Sequence, residues 1–185
     1  VITEKATNTI TTYTVNHWGT PGIKHSISSS SPTPFGFATG RLGNIFVSEA
    51  VGGAPGASVL SSYRVSFDGS ISVVNGSVGA GQSAACWVVV TDNGRYAYAT
   101  NTASNNISTF GVNVFNGSLN VSQAISATTQ AGPIDAALSR NSRYLYVLNG
   151  AAKSIDGFEV ANDGSLSPVQ TVPGLPMGAN GLAAR

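Results

Sequence analysis

The side chains that could do chemistry in this chain are few: Glu4, Glu49, Asp135, Trp87, Asn101 and Asn149. Glu4 and Glu49 end matching segments, at the place where Asn101 and Asn149 end the later ones. Two readings of the carboxylates stand. Facing one pocket, their repulsion would raise one pKa and make a proton shuttle or a cation site. Alternatively they do what the asparagines do, which is to satisfy turn amides and accept unusual backbone angles. Asp135 lies among Pro133, Ile134, Ala136 and Ala137, where a charge must be paired or solvated. It lines a wet channel or touches a ligand. Trp87 could floor a pocket that stacks a sugar or other ring, or pack in a core.

Other chemistries lack their parts. His17 and His25 are eight residues apart with no acidic or Cys companion, so no metal site is expected. Cys86 is the single cysteine; it forms no internal disulfide and reads as a buried small hydrophobe. Ser-x-x-Lys, Gly-x-Ser-x-Gly, His-Glu-x-x-His and phosphate-loop motifs are all missing, and no cofactor is expected. Net charge is +1 with no basic or acidic run, which argues against electrostatic capture of nucleic acid or of an anionic membrane. No apolar stretch approaches the roughly 18 residues of a membrane span. Asn75, Asn106, Asn116 and Asn120 each open an Asn-x-Ser sequon, which matters only in a eukaryotic secreted protein.

The elements that would position these residues repeat. Tyr13, Tyr63, Phe110 and Phe158 follow one another at steps of 50, 47 and 48 residues, and Gly19, Gly69, Gly117 and Gly164 at 50, 48 and 47. A period of roughly 40–50 residues with several short strands marks a β-propeller blade. Charged residues are only 9% of the chain, against a usual share of about 25%, which suits an all-β protein of tight turns. Each unit reads as an apolar inner strand, a polar turn, an aromatic-bearing second strand, a third strand, an Asp-Gly or Asn-Gly hairpin and a polar outer strand. The blades are expected at 1–33, 34–84, 85–132 and 133–175. The first lacks its inner strand, and 176–184 reads as a spare one, giving sixteen strands in all. Four blades could close as a small ring, join further copies, or belong to a longer propeller trimmed at its N-terminal side.

Tyr98-Ala99-Thr100-Asn101 and Tyr146-Val147-Leu148-Asn149 resemble the YVTN-type propeller repeat. Cys86-Trp87-Val88-Val89-Val90-Thr91 before Asn93-Gly94-Arg95-Tyr96 is similar to the lactonase-like seven-bladed propellers, as are residues 1–10 and 178–185. That family includes propeller-type 6-phosphogluconolactonase and carboxymuconate cyclase. The resemblance implies a secreted protein, extracellular or periplasmic, and a small lactone or sugar-like ligand. Enzymatic members often carry His on the inner strand; the aligned positions here are Gly36, Trp87, Asp135 and Gly178. Two functions follow. One is a non-catalytic interaction or structural module that assembles with the remaining blades of a longer propeller or with further copies, favoured by low charge and the incomplete first blade. The other is a lactone hydrolase or lactonising enzyme, with Glu4, Glu49, Asp135 and Trp87 at the channel mouth and a carboxylate as general base.

Overall fold

Turn residues cut the chain into strands of three to ten residues. The computed structural model describes residues 1–185 and contains fifteen strands in four antiparallel sheets. The first sheet has three: β1 (Ile2–Glu4), β2 (Thr9–Val15) and β3 (Pro21–Ser28). The second has β4 (Pro34–Thr39), β5 (Asn44–Glu49), β6 (Val59–Val65) and β7 (Ile71–Gly79). The third has β8 (Ala85–Val90), β9 (Tyr96–Asn101), β10 (Asn106–Val112) and β11 (Leu119–Thr128). The fourth has β12 (Pro133–Leu138), β13 (Tyr144–Asn149), β14 (Ser154–Val160) and β15 (Leu166–Pro173). In every sheet, strands neighbouring in sequence are neighbours in space. The all-β propeller architecture expected from the repeat is present.

Three cores join the four sheets in a row. Ile10 of the first packs with Ile45, Val47, Tyr63 and Ile71 of the second. Phe46 and Leu60 of the second meet Val88, Ala97, Ala99 and Phe110 of the third. Tyr98 and Ile107 of the third meet Leu145, Val147, Phe158 and others of the fourth. Of the periodic aromatics, Tyr63, Phe110 and Phe158 each sit in one of these cores, whereas Tyr13 in the first sheet is half-buried and lies outside them; fully burying one such ring is worth about 1.5–3 kcal/mol.

Two details depart from expectation. The outer strands are longer than their hydrophobic stretches suggested. β7 runs on through Asn75-Gly76-Ser77, a stretch that reads as a turn, because a bulge absorbs it. Ser62 and Ser61 hydroxyls accept the Asn75 and Ser77 amides at 3.2 and 2.9 Å, and Ser77 takes φ 58°. The second departure is the closing strand expected at 176–184. That segment forms no ladder, and the strand count is fifteen. It is held instead by the Leu182 amide, which donates to Asp135 Oδ2 at 2.8 Å.

Candidate functional site at the inner strands

The three inner strands share an irregularity. Between Pro34 and Phe37, between Ala85 and Val88, and between Pro133 and Asp135 the pairing register slips by one residue. The slip defines a bulge at Phe35-Gly36, Cys86-Trp87 and Ile134-Asp135. A bulge frees side chains from the ladder and re-aims them, which is why bulges recur beside binding sites. Here they line a cleft of about 550 Å³ formed by Phe35, Cys86, Trp87, Ile134, Asp135 and, from the C-terminal segment, Asn180 and Gly181.

Each bulge leaves polar backbone that needs a partner. In the second sheet Ser48 Oγ accepts the Gly36 amide at 3.1 Å and lies 2.6 Å from the Cys86 carbonyl of the next blade. In the third, Thr100 Oγ1 accepts the Trp87 amide at 3.1 Å. In the first, the matching Thr3 hydroxyl donates to the Phe35 carbonyl at 2.6 Å. The fourth blade carries Leu148 at this position, which can do neither. There the carboxylate of Asp135 serves the backbone instead: Oδ1 accepts the Ala136 amide at 2.7 Å and Oδ2 the Leu182 amide. Asp135 is 5% exposed. Burial pushes its carboxyl above the ordinary aspartate value, and the two amide hydrogen bonds pull part of the way back.

Trp87 is half-buried, packed in part against the core between the third and fourth sheets. Its ring rests on Gly36, where a Cβ would come within 3.1 Å of the indole and 2.6 Å of the Cys86 carbonyl. Glycine at 36 is therefore what lets the second and third inner strands approach. Cys86 is half-buried beside Trp87 in the cleft wall.

The other candidates are placed elsewhere, and all four do one job. At the end of each second strand, a carboxylate or amide reaches across to the third strand. Thr11 donates to Glu4 Oε1 at 2.6 Å. Ser61 and Tyr63 donate to Glu49 at 2.6 and 2.8 Å, and Ser29 donates to it as well. Asn101 Nδ2 donates to Asn106 and Ser108, both at 2.8 Å. Asn149 Nδ2 donates to Ser154 at 3.3 Å and Asp156 at 2.8 Å. In three blades this clasp also holds the linker arriving from the preceding blade, through Ser29 on Glu49, Gln82 on Asn106 and the Gln130 amide on Asp156. Glu49, Asn101 and Asn149 are at most 2% exposed. Glu4 is more open, and its hydroxyl partners Thr11 and Thr7 hold its carboxyl below the usual range.

Asp135 and Trp87 are therefore brought together in one cleft, while Glu4, Glu49, Asn101 and Asn149 belong to the clasps and do not line it. Sequence reading missed Phe35, Asn180 and Leu182 as neighbours of Asp135. The signal available was the repeat of Pro34-Phe35-Gly36 in Pro133-Ile134-Asp135, which sets Phe35 and Ile134 in one register. His17 stacks on Trp18 at 4.3 Å between ring centroids, and no group of three or more His, Cys, Asp or Glu side chains is disposed to hold a metal ion.

Residues 80–184 match the family model of the lactonase seven-bladed β-propellers. The chain belongs to that family. No curated protein matches it in sequence. Among solved structures it is similar to the periplasmic gluconolactonase of Pseudomonas aeruginosa, 17% identical, with TM-score 0.74, over 93% of this chain and 51% of that one. A protein of Bacteroides fragilis assigned as a 6-phosphogluconolactonase is 18% identical, with TM-score 0.69, over 89% and 50% of the two chains. A functionally unknown protein of Desulfotomaculum acetoxidans is 19% identical, with TM-score 0.65, over 83% and 45%. At these identities the likeness is one of fold. The chain spans about half the length of each of these structures.

Proposed function

We propose that the chain is an assembling segment of a lactonase-family propeller. The open edge of β1 takes an inner strand from outside residues 1–185, supplied by a further copy or by the remaining blades of a longer propeller. One observation carries this reading: the first sheet has three strands where the other three have four. An unpaired strand edge offers free N–H and C=O groups and is a template for pairing. Val1 and Ile2 are 40% and 48% exposed there. Thr3 has the position at which Ser48 and Thr100 accept an inner-strand amide. Segment 176–184, with the pattern of an inner strand and no ladder, is the natural donor between copies.

Hydrogen exchange tests the pairing. In the assembled protein the amides of Ile2–Glu4 that do not face β2 exchange slowly; uniformly fast exchange there at high protein concentration overturns the reading.

A second reading has its own observation, the raised carboxyl of Asp135 in a cleft that Trp87 also lines. With the substrate class named for the Pseudomonas aeruginosa relative, a lactone ring would lie on Trp87. Ionised Asp135 would take a proton from water as that water attacks the carbonyl, and protonated Asp135 would return it to the ring oxygen as the C–O bond breaks, giving a hydroxy acid and the carboxylate again. Loss of lactone turnover in Asp135→Asn supports it, and undiminished turnover removes it. The gluconolactonase relative, described as periplasmic, supports a periplasmic location for this chain. No helix is long and apolar enough to cross a membrane.

A further inference from the structure

In a four-stranded antiparallel meander, the turns after the first and third strands lie at one end of the sheet and the remaining connections at the other. The contacts between blades bear this out. Arg41 Nη2 donates to the Asp92 carbonyl at 3.1 Å, the Asp92 amide to Ser142 Oγ at 2.8 Å, and Arg64 Nη2 to the Phe115 carbonyl at 3.1 Å. These turns form one continuous rim.

Charge is segregated along that axis. The rim carries Arg41, Arg64, Arg95, Arg140 and Arg143, and Arg185 sits against its Asp92 and Arg140. Four acids share it, Asp68, Asp92, Glu159 and Asp163, and Glu159 pairs with Arg143 at 3.7 Å. The opposite end carries Glu4, Glu49, Asp135 and Asp156 against Lys5 and Lys153. A net charge of +1 thus conceals an excess of two positive side chains at the rim and of two negative ones at the opposite end.

The large apolar side chains at turn tips lie on the positive end as well. Trp18 is 80% exposed at the β2–β3 turn, Phe67 is fully exposed at β6–β7, and Phe115 is 79% exposed at β10–β11. Leu42, at the β4–β5 turn, is 64% exposed. They are spaced a blade apart with arginines between them and form no groove. A compact protein partner needs a contiguous apolar centre, whereas a bilayer interface accepts separate Trp and Phe anchors, with basic side chains held at anionic headgroups.

We propose that the rim bearing Trp18, Phe67 and Phe115 docks on an anionic lipid surface, with these side chains entering the interface and Arg95, Arg140 and Arg185 facing lipid phosphates and carboxylates. The test is sedimentation of the 185-residue chain with phosphatidylcholine vesicles, with and without phosphatidylserine. Binding to the phosphatidylserine vesicles is expected to be about tenfold tighter, and to weaken as salt rises. Trp18→Ser/Phe67→Ser/Phe115→Ser should abolish it, and Arg95→Glu/Arg140→Glu should remove the preference for phosphatidylserine. All five side chains are exposed, so both variants should retain the parent circular dichroism and melting. No sedimentation with phosphatidylserine vesicles, or sedimentation unchanged in the aromatic variant, overturns the proposal. So does binding to soluble heparin that is as tight as vesicle binding and insensitive to the aromatic substitutions.

Discussion

The carboxylate of Asp135 and the amide of Leu182, 47 residues apart in sequence, are joined by a hydrogen bond of 2.8 Å. It connects the inner strand of the fourth blade to the segment that forms no ladder of its own. The same carboxylate borders the cleft beside Trp87, so one buried charge serves both the fold and the candidate site.

That charge makes stability depend on pH in a stated direction. Burial raises the folded pKa of Asp135 above the ordinary value of about 3.9. The folded chain then holds the proton more tightly than the unfolded chain. The favourable contribution is complete below the ordinary value and is lost as pH rises through the raised one. Asn at 135 does not titrate. The melting temperature of Asp135→Asn relative to the parent should therefore increase from about pH 3 to about pH 7. A difference that stays flat or falls contradicts the assignment.

Glu49 is expected to act on stability. It is fully buried and takes hydroxyl donors from Ser29, Ser61 and Tyr63. Glu49→Gln replaces one acceptor oxygen with an NH2 donor and leaves a hydroxyl without its partner, at a cost of about 1–3 kcal/mol. Tyr63→Phe should cost about 1 kcal/mol through loss of the bonds to Glu49 and the Ser30 amide. Urea denaturation measures both; unchanged midpoints in both variants would sink the clasp.

Gly36→Ala should destabilise by about 1–3 kcal/mol, because its Cβ meets a backbone carbonyl that cannot step aside. Gly79→Ala is the control: its nearest neighbour would be Val59 Cγ1 at 3.7 Å, an ordinary contact. Denaturation midpoints that fall equally in the two variants would show that close approach at 36 is not the cause.

The sequons separate by burial. Asn106 is 5% exposed, with its amide bonded to Asn101 and Gln82, whereas Asn116 and Asn120 are exposed. Secretion from a glycosylating host should place glycan at Asn116 or Asn120 and leave Asn106 bare, as read by peptide mass spectrometry. A glycan at Asn106 would contradict this burial.

Most of the architecture was legible because Tyr63, Phe110 and Phe158 recur in the cores where blades meet, and packing forces a period on such residues. The outer strands were less legible. Asn75-Gly76-Ser77 has turn chemistry, and only the hydroxyls of Ser61 and Ser62 across the ladder make it a strand. The repeat placed Glu49 level with Asn101 but could not show that three of the four clasps also tie down a linker, since Ser29, Gln82 and Gln130 come from the segments arriving from preceding blades. For Asp135, its sequence neighbours exposed the conflict of a charge on an apolar strand; its partner Leu182 is remote. The positive rim was invisible because it gathers residues from seven separate turns.

Native mass in solution shows whether the open edge of β1 is filled. The isolated chain carries the open β1 edge whichever source completes its blade. An assembly at a multiple of 18.8 kDa is expected, persisting on dilution to micromolar concentration, with residues 176–184 protected from exchange. A stable 18.8 kDa monomer with β1 and 176–184 both freely exchanging would contradict it.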